Sequence, residues 1–290
     1  MATVIGKMYS AMISSMGVKD LRIPMAAVRL FRQGEDVPAP VMHYHPKDTT
    51  LTSCQASRQA SLGDAVCLTR ENIGCIAAAI SLGLVDKDED RPLGGSRIYT
   101  DIMRDQSGLA DSFAAPTPKD FTEGTVYACK DSGRFDFCLF GREDSGRYKD
   151  VNTAKLAIAD MVAIQPAVIK SVFFYPPDFD DIDLVPDVVV FNVRPVELAR
   201  IIQAYQYKTG KRITCSMGAL RAVCSDLIAR PFLMQDINIS TYCLGARLIA
   251  RYEANRLGIG ISFGLFEEIV AGMIASETGY PFHLYPGAKE

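Results

Sequence analysis

Short apolar runs of strand length alternate with stretches of helical periodicity along most of this chain, and that alternation restricts it to layered α/β architectures. Strand-like runs fall at 23–30 (IPMAAVRL), 65–68, 169–177 (IKSVFFYPP), 187–191 (DVVVF), 212–215 (RITC) and 258–262 (GIGIS). A helix is expected over residues 1–20, and a short one follows Thr52 or Ser53 as its cap and stops at Gly63. The next begins near Thr69 and runs through IGCIAAAISLGL; it is apolar nearly all round, so it is expected to be buried. VNTAKLAIADMV after Lys149 and VELARIIQAYQYKTG read as amphipathic helices, the second with Val196, Leu198, Ile201, Ile202 and Tyr205 on one stripe. GALRAVCSDLIAR is expected to stop before Pro231, and TYCLGARLIARYEA and LFEEIVAGM complete the series.

The expected fold is one α/β domain over residues 1–290, a layered mixed sheet flanked by helices. Residues 88–140 depart from the pattern: turn signals surround two hairpin-like pieces, TVYACKD and RFDFCLFG, which suggests a loop-rich insertion capping the core. An internal repeat is also suggested. A helix ending at Gly63 leads to CLTRENIGC and a buried helix, much as a helix ending at Gly210 leads to CSMGALRAVC and another helix, so two units facing each other across a pseudo-twofold axis are expected.

A formal charge of −3 offers no basic surface for polyanions, so nucleic acid is not an expected partner. The longest apolar stretch, 73–85, is too short for a bilayer, and the N-terminus carries no secretory pattern; a cytoplasmic chain without membrane attachment is expected. Eight cysteines (Cys54, Cys67, Cys75, Cys129, Cys138, Cys215, Cys224, Cys243) in such a setting point to metal binding, redox chemistry or simple burial rather than to a disulfide framework. No C-x-x-C occurs, which disfavours zinc ribbons, ferredoxin-like runs and thioredoxin-type dithiols. Thiols that meet must do so through the fold. Cys54 and Cys243 fall at or near the first turn of expected helices, where partial positive charge favours a thiolate; Cys75 is placed about a turn and a half into its helix and Cys224 deeper into its own.

Other motifs are weaker. His43 and His45 flank Tyr44 in a stretch that, if extended, sets both imidazoles on one face, but no carboxylate stands at metal-motif spacing. Gly258, Gly260 and Gly264 miss the dinucleotide spacing and read as a strand-to-helix turn capped by Ser262. Asp178, Asp180, Asp181 and Asp183 form an acidic loop that is expected to stay solvated. Neither a P-loop nor a serine with matched histidine and acid is present.

Several segments together resemble a cysteine-rich family catalogued as domain of unknown function 169, found mainly in archaea and anaerobic bacteria. They are IPMAAVRL, CQASRQASLGDAV, LTRENIGCIAAAISLGL, SGRYKDVNTAKLA, VPDVVVFNVRPVELARIIQAYQYKTG, GALRAVCSDLIARP and ISTYCLGARLIARYEANRLGIGIS, which span most of the chain outside 88–140. The resemblance maps family cysteines onto Cys54, Cys75, Cys224 and Cys243 and places Arg247 in a C-x-G-x-R pattern. Cys67, Cys129, Cys138 and Cys215 have no such counterpart, and Ile76 stands where the family often has Pro. The resemblance implies an α/β fold and an anaerobic setting, but no assigned activity.

The leading expectation is that Cys54, Cys75, Cys224 and Cys243, two from each half of the chain and joined by Arg247 at the site, hold a [4Fe–4S] or related cluster. The role would be electron transfer with a redox partner protein, or substrate activation. Two alternatives stand beside it. One is a haem or small-ligand protein with an apolar pocket lined by aromatics such as Phe135, Phe137, Phe140, Phe173, Phe174 and Tyr175, with Cys, His43, His45 or Met as axial ligand; the other is a metal-free thiol enzyme with Cys54 as nucleophile. Self-association is compatible with all three.

Overall fold

The computed structural model describes residues 3–46, 49–89, 117, 119 and 151–289. The expected insertion at 88–140, with Cys129, Cys138, Phe135, Phe137 and Phe140, therefore lies almost wholly outside the described residues. A helix α1 (Val4–Ser14) precedes strand β1 (Met25–Arg32), then short α2 (Ala39–Met42), α3 (Ser53–Leu62), β2 (Val66–Thr69) and α4 (Ile76–Ser81). After α5 (Val151–Ala159) come β3 (Ile169–Tyr175), β4 (Val188–Val193) and α6 (Pro195–Thr209). A π-helix (Ala222–Ala229) runs into α7 (Arg230–Met234), followed by β5 (Ile237–Ser240), α8 (Leu244–Leu248), β6 (Leu257–Ser262) and α9 (Phe263–Ala275).

The strands form one sheet in the order β2-β3-β1-β4-β6-β5, and every neighbouring pair is antiparallel. The layered α/β expectation holds. The pairing is antiparallel throughout because β3 inserts between β1 and β2, and β6 between β4 and β5. Exchanging β1 with β4, β2 with β5 and β3 with β6 leaves the order unchanged, so the described strands have a twofold topology whose axis passes between β1 and β4. The repeat register is not the one suggested by CLTRENIGC and CSMGALRAVC. α3 links the first two strands of its half, as the π-helix segment does in the other, whereas α6 packs with α9 on the opposite layer.

Antiparallel strands commonly leave one face wet, but here both faces are covered, which explains runs as apolar as FFY and VVVF. Alternate side chains enter two cores. Ala26, Val28, Leu30, Val172, Phe174, Val188 and Val190 meet α3, α4 and the π-helix, while Ala27, Phe31, Phe173, Tyr175, Val189 and Phe191 meet α1, α6 and α9. Phe173, Phe174 and Tyr175, which the sequence offered as pocket lining, are thus core residues divided between the two layers.

Local chemistry explains the helix ends. Thr52 and Gln55 form a reciprocal capping box at the start of α3, and Gly63 ends it at φ 119°. Gly210 likewise ends α6 in the left-handed region. Several expectations are corrected. Residues 70–72 form a turn and Ile73 bridges Leu51, which shortens the helix expected from Thr69 to α4; 212–215 form no strand; and INIS, not singled out by its pattern, supplies β5. The helix expected to stop before Pro231 continues through it: the π-helix passes straight into α7, with Pro231 as its second residue. Ser262 is the N-cap of α9 but makes no side-chain capping bond.

Gly258 and Gly260 lie in β6 and serve the approach of the π-helix rather than a turn. A Cβ on Gly260 would stand 2.0 Å from the Leu227 carbonyl oxygen, and one on Gly258 would stand 2.4 Å from Leu227 Cδ1. Gly264, on α9, has open space around it. Gly260→Ala is therefore expected to destabilise the chain by at least ~3 kcal/mol in chemical denaturation. Gly264→Ala should be neutral or stabilising by up to ~1 kcal/mol. Equal, small effects of the two would contradict the packing of the π-helix on β6.

Candidate functional site

The layer holding α3, α4, the π-helix and α8 brings together four cysteines remote in sequence. Cys54 is the second residue of α3, Cys75 the N-cap of α4, Cys224 the third residue of the π-helix and Cys243 the N-cap of α8. Cys54, Cys75 and Cys224 are buried and Cys243 is partly exposed against the same core, so the group opens outward at Cys243. The helix-start expectation holds for Cys54 and Cys243. It is corrected for Cys75, which sits at the helix start rather than inside, its sulfur accepting the Ala78 N–H at 3.3 Å.

Two pairs are evident within the group. Cys54 hydrogen-bonds to Cys243, with their helices α3 and α8 packed together; Cys75 is the first charge felt by Cys224, with α4 packed on the π-helix. Cys54 also feels Cys224 and Cys75, so the four form one electrostatically connected centre. Burial raises the Cys224 thiol, which donates to the Arg221 carbonyl at 3.6 Å. Cys54 is pushed well above the ordinary thiol value by its bond to Cys243, then by burial. Cys243 goes the other way, down to about 6, because the Cys54 S–H donates to it. Burial opposes that shift, and the N–H groups of Ala246, Ala222 and Gly245 assist it through their dipoles rather than through a capping bond of standard geometry. Of Cys54, Cys224 and Cys243, it is thus Cys243 that favours the thiolate.

The cysteines outside the family pattern lie elsewhere. Cys67, on β2, faces the opposite core, where burial raises it to about 11, and Cys215 lies in the 210–217 segment beside Ile239. Arg247 is not aimed at the sulfurs. It donates to the carbonyls of Thr241 at 2.8 Å and of Tyr252 and Glu253, and covers the Tyr242 ring at 5.3 Å, so it fastens the loop that carries Cys243. His43 and His45 are not in an extended segment: His43 is the C-cap of α2, and His45 meets the Thr69 hydroxyl at 3.1 Å. Tyr44 between them packs on Phe173 and Phe179 in the opposite layer. The acidic loop residues Asp178, Asp180, Asp181 and Asp183 are exposed as expected.

Sequence reasoning missed three neighbours of the centre. Tyr252 is buried next to Cys54, accepts from Ser57 and stacks on Tyr242 at 4.2 Å, whose hydroxyl donates to Asn192 Oδ1 at 2.9 Å. Asp226, on the π-helix, is raised to about 7, first by burial and further by the Cys243 charge. Arg221, at φ 53°, places its positive charge near Cys224. A left-handed arginine before a π-helix has no local sequence signal, whereas the pair of tyrosines flanking C-x-G-x-R was visible as aromatics next to a candidate cysteine.

The donor set suits a soft metal centre in kind: four thiols, one already ionised, with no imidazole among them. Among the described residues, no group of three or more His, Cys, Asp or Glu side chains is placed to hold a metal ion. No helix among the described residues is long and apolar enough to cross a membrane.

Because Cys243 has a depressed pKa, its thiolate adds stability that is present above the ordinary thiol value of 9.0 and is lost as pH falls through about 6. In the metal-free chain, alkylation by a small iodoacetamide-type reagent should accordingly mark Cys243 first, with a rate rising through pH 6. Cys243→Ser should remove that fast phase. First labelling at Cys54 or Cys215 would contradict the assignment of the charge.

A family model described as DUF169, Uncharacterised ArCR, matches residues 19–272. The uncharacterised protein MJ0308 of Methanocaldococcus jannaschii is 28% identical over 125 residues, 43% of this chain and 52% of that protein, so the chain spans about half the length of this relative. No solved structure matches.

Proposed function

The chain belongs to the DUF169 family, and on that footing we propose that it is an iron–sulfur protein whose cluster, of the [4Fe–4S] or a related type, is held by Cys54, Cys75, Cys224 and Cys243. One observation carries the reading: four thiols from four separate helix segments, two in each half of a twofold topology, meet in one buried centre while Cys67 and Cys215 do not join it. A cluster would supply one-electron redox chemistry. The residues would do the rest: Cys243 offers a thiolate at neutral pH, Arg221 offsets negative charge near Cys224, and Arg247 and Tyr252 hold the surrounding loop and helix in place. Cys54 and Cys224 would give up their protons only in the field of bound metal, which ties uptake to pH and to folding. A haem would use one axial thiolate and leave three converging thiols without a role.

The Cys243 thiolate also favours a second reading, thiol chemistry without metal. Its nucleophile would be Cys243 rather than Cys54, whose proton is held.

Anaerobic reconstitution with iron and sulfide separates these readings. Under the cluster reading the full chain gains visible absorbance that bleaches in air, and Ser at Cys54, Cys75, Cys224 or Cys243 lowers the iron content. Cys67→Ser should cost ~1–3 kcal/mol of stability and leave the spectrum unchanged. Less than about a tenth of an iron per chain after reconstitution would sink the cluster reading and leave the thiol reading standing.

A further inference from the structure

Cys54 and Cys243 are joined sulfur to sulfur, the Cys54 S–H donating to Cys243. They stand at the starts of two helices packed together, Cys54 as the second residue of α3 and Cys243 as the N-cap of α8. The other two cysteines of this layer are bonded to the backbone of their own segments: the Cys75 sulfur accepts the Ala78 N–H at 3.3 Å, and the Cys224 S–H donates to the Arg221 carbonyl at 3.6 Å. Cys54 is buried, whereas Cys243 is partly exposed with its sulfur largely enclosed. A small molecule arriving from solvent therefore meets Cys243 first, with Cys54 behind it.

The backbone at Cys243 is held for this contact. Tyr242, immediately before it, takes φ 66°, a left-handed conformation that costs a non-glycine residue free energy and persists where its surroundings enforce it. The Tyr242 N–H donates to the Ser240 hydroxyl at 3.2 Å, its own hydroxyl donates to Asn192 Oδ1 at 2.9 Å, and its ring stacks on Tyr252 at 4.2 Å. Tyr252 lies in turn beside Cys54. One pair of rings thus fixes the residue before Cys243 and flanks Cys54, which keeps the two sulfurs facing each other.

We infer that Cys54 and Cys243 form a dithiol–disulfide redox pair that exchanges electrons with small disulfides, Cys243 attacking and Cys54 resolving. This rests on the thiol reading of Cys243 and adds to it the second thiol and the substrate class. As a thiolate, the Cys243 sulfur attacks one sulfur of an external disulfide R–S–S–R, so that a Cys243–S–S–R bond forms and RS⁻ leaves. The Cys54 sulfur then attacks the Cys243 sulfur, the bond between them closes, and the second RS⁻ leaves. The proton that Cys54 held and the one lost earlier by Cys243 end on the two departing thiolates. The pair has lost two electrons and two protons, the external disulfide has become two thiols, and an excess of thiol drives the same steps backwards.

The test is disulfide mapping by mass spectrometry of the metal-free, full-length chain after incubation with 2-hydroxyethyl disulfide. The expected result is a Cys54–Cys243 disulfide with about two thiols released per chain. Cys54→Ser should instead accumulate the mixed disulfide on Cys243, while Cys75→Ser and Cys224→Ser should give the wild-type map. A mixed disulfide that persists on Cys243 in the wild-type chain would overturn the pair and leave the thiol reading standing. A bond from Cys243 to Cys75 or Cys224 would also overturn it. An unmodified Cys243 in the folded wild-type chain would overturn both, and the wild-type map decides even where a variant does not fold.

Discussion

The antiparallel pairing of β1 with β4, from Met25 opposite Phe191 to Val28 opposite Val188, joins the two halves, and the remaining architecture depends on it. Each half alone is a three-stranded sheet with helices on both faces, whose inner edge strand would expose unpaired N–H and C=O groups. Pairing removes those edges and sets the helices of one half against those of the other. Asp187 secures the seam, accepting the Leu30 N–H at 2.7 Å and an Arg29 N–H at 3.1 Å. Because the join runs through the centre, cysteines 189 positions apart, Cys54 and Cys243, become neighbours without either lying near the other along the chain.

Burial works against charge at this centre, and the balance decides which thiol ionises. An apolar layer of Ile76, Val223, Leu227 and Tyr252 disfavours any thiolate. Cys243 escapes against that burial, because the Cys54 hydrogen and nearby backbone dipoles replace water around its sulfur. Once Cys243 is ionised, each further deprotonation would add a like charge at close range, so Cys54 and Cys224 are driven up together. Asp226 responds to the same field, its carboxyl held near neutrality by burial and by Cys243.

Much of this fold was legible because local signals and global packing agree: Thr52 with Gln55, Gly63, Gly210 and the apolar runs of β1, β3 and β4 all mark what forms. The misreadings share a cause in tertiary packing. INIS is too short to announce itself, and β5 exists because β6 offers it a partner from Ile237 opposite Ile261 onward. The π-helix has no propensity of its own; it is set by close approach to the glycines of β6 and by Arg221 in a left-handed conformation. Family resemblance selected the four cysteines that converge, but spacing alone aligned Cys67 with Cys215, two residues that the topology does not equate. The repeat was in the sequence at the level of helix-start cysteines and invisible at the level of cysteine intervals.

The twofold comparison also locates where the halves differ. In the second half the chain passes from α8 to β6 through residues 249–256, a short link that supplies Tyr252 to the surroundings of Cys54 and Glu253 to Arg58 of α3. The corresponding link in the first half, from α4 to β3, contains residues 82–168. It leaves from the thiol-side core at Leu84 and Val85 and returns to that core at Ile164, where the Ser225 hydroxyl, next to Cys224, donates to the Val162 carbonyl at 2.6 Å. Both ends of the longer link are therefore fastened to the layer that holds the four sulfurs, one of them directly to the π-helix.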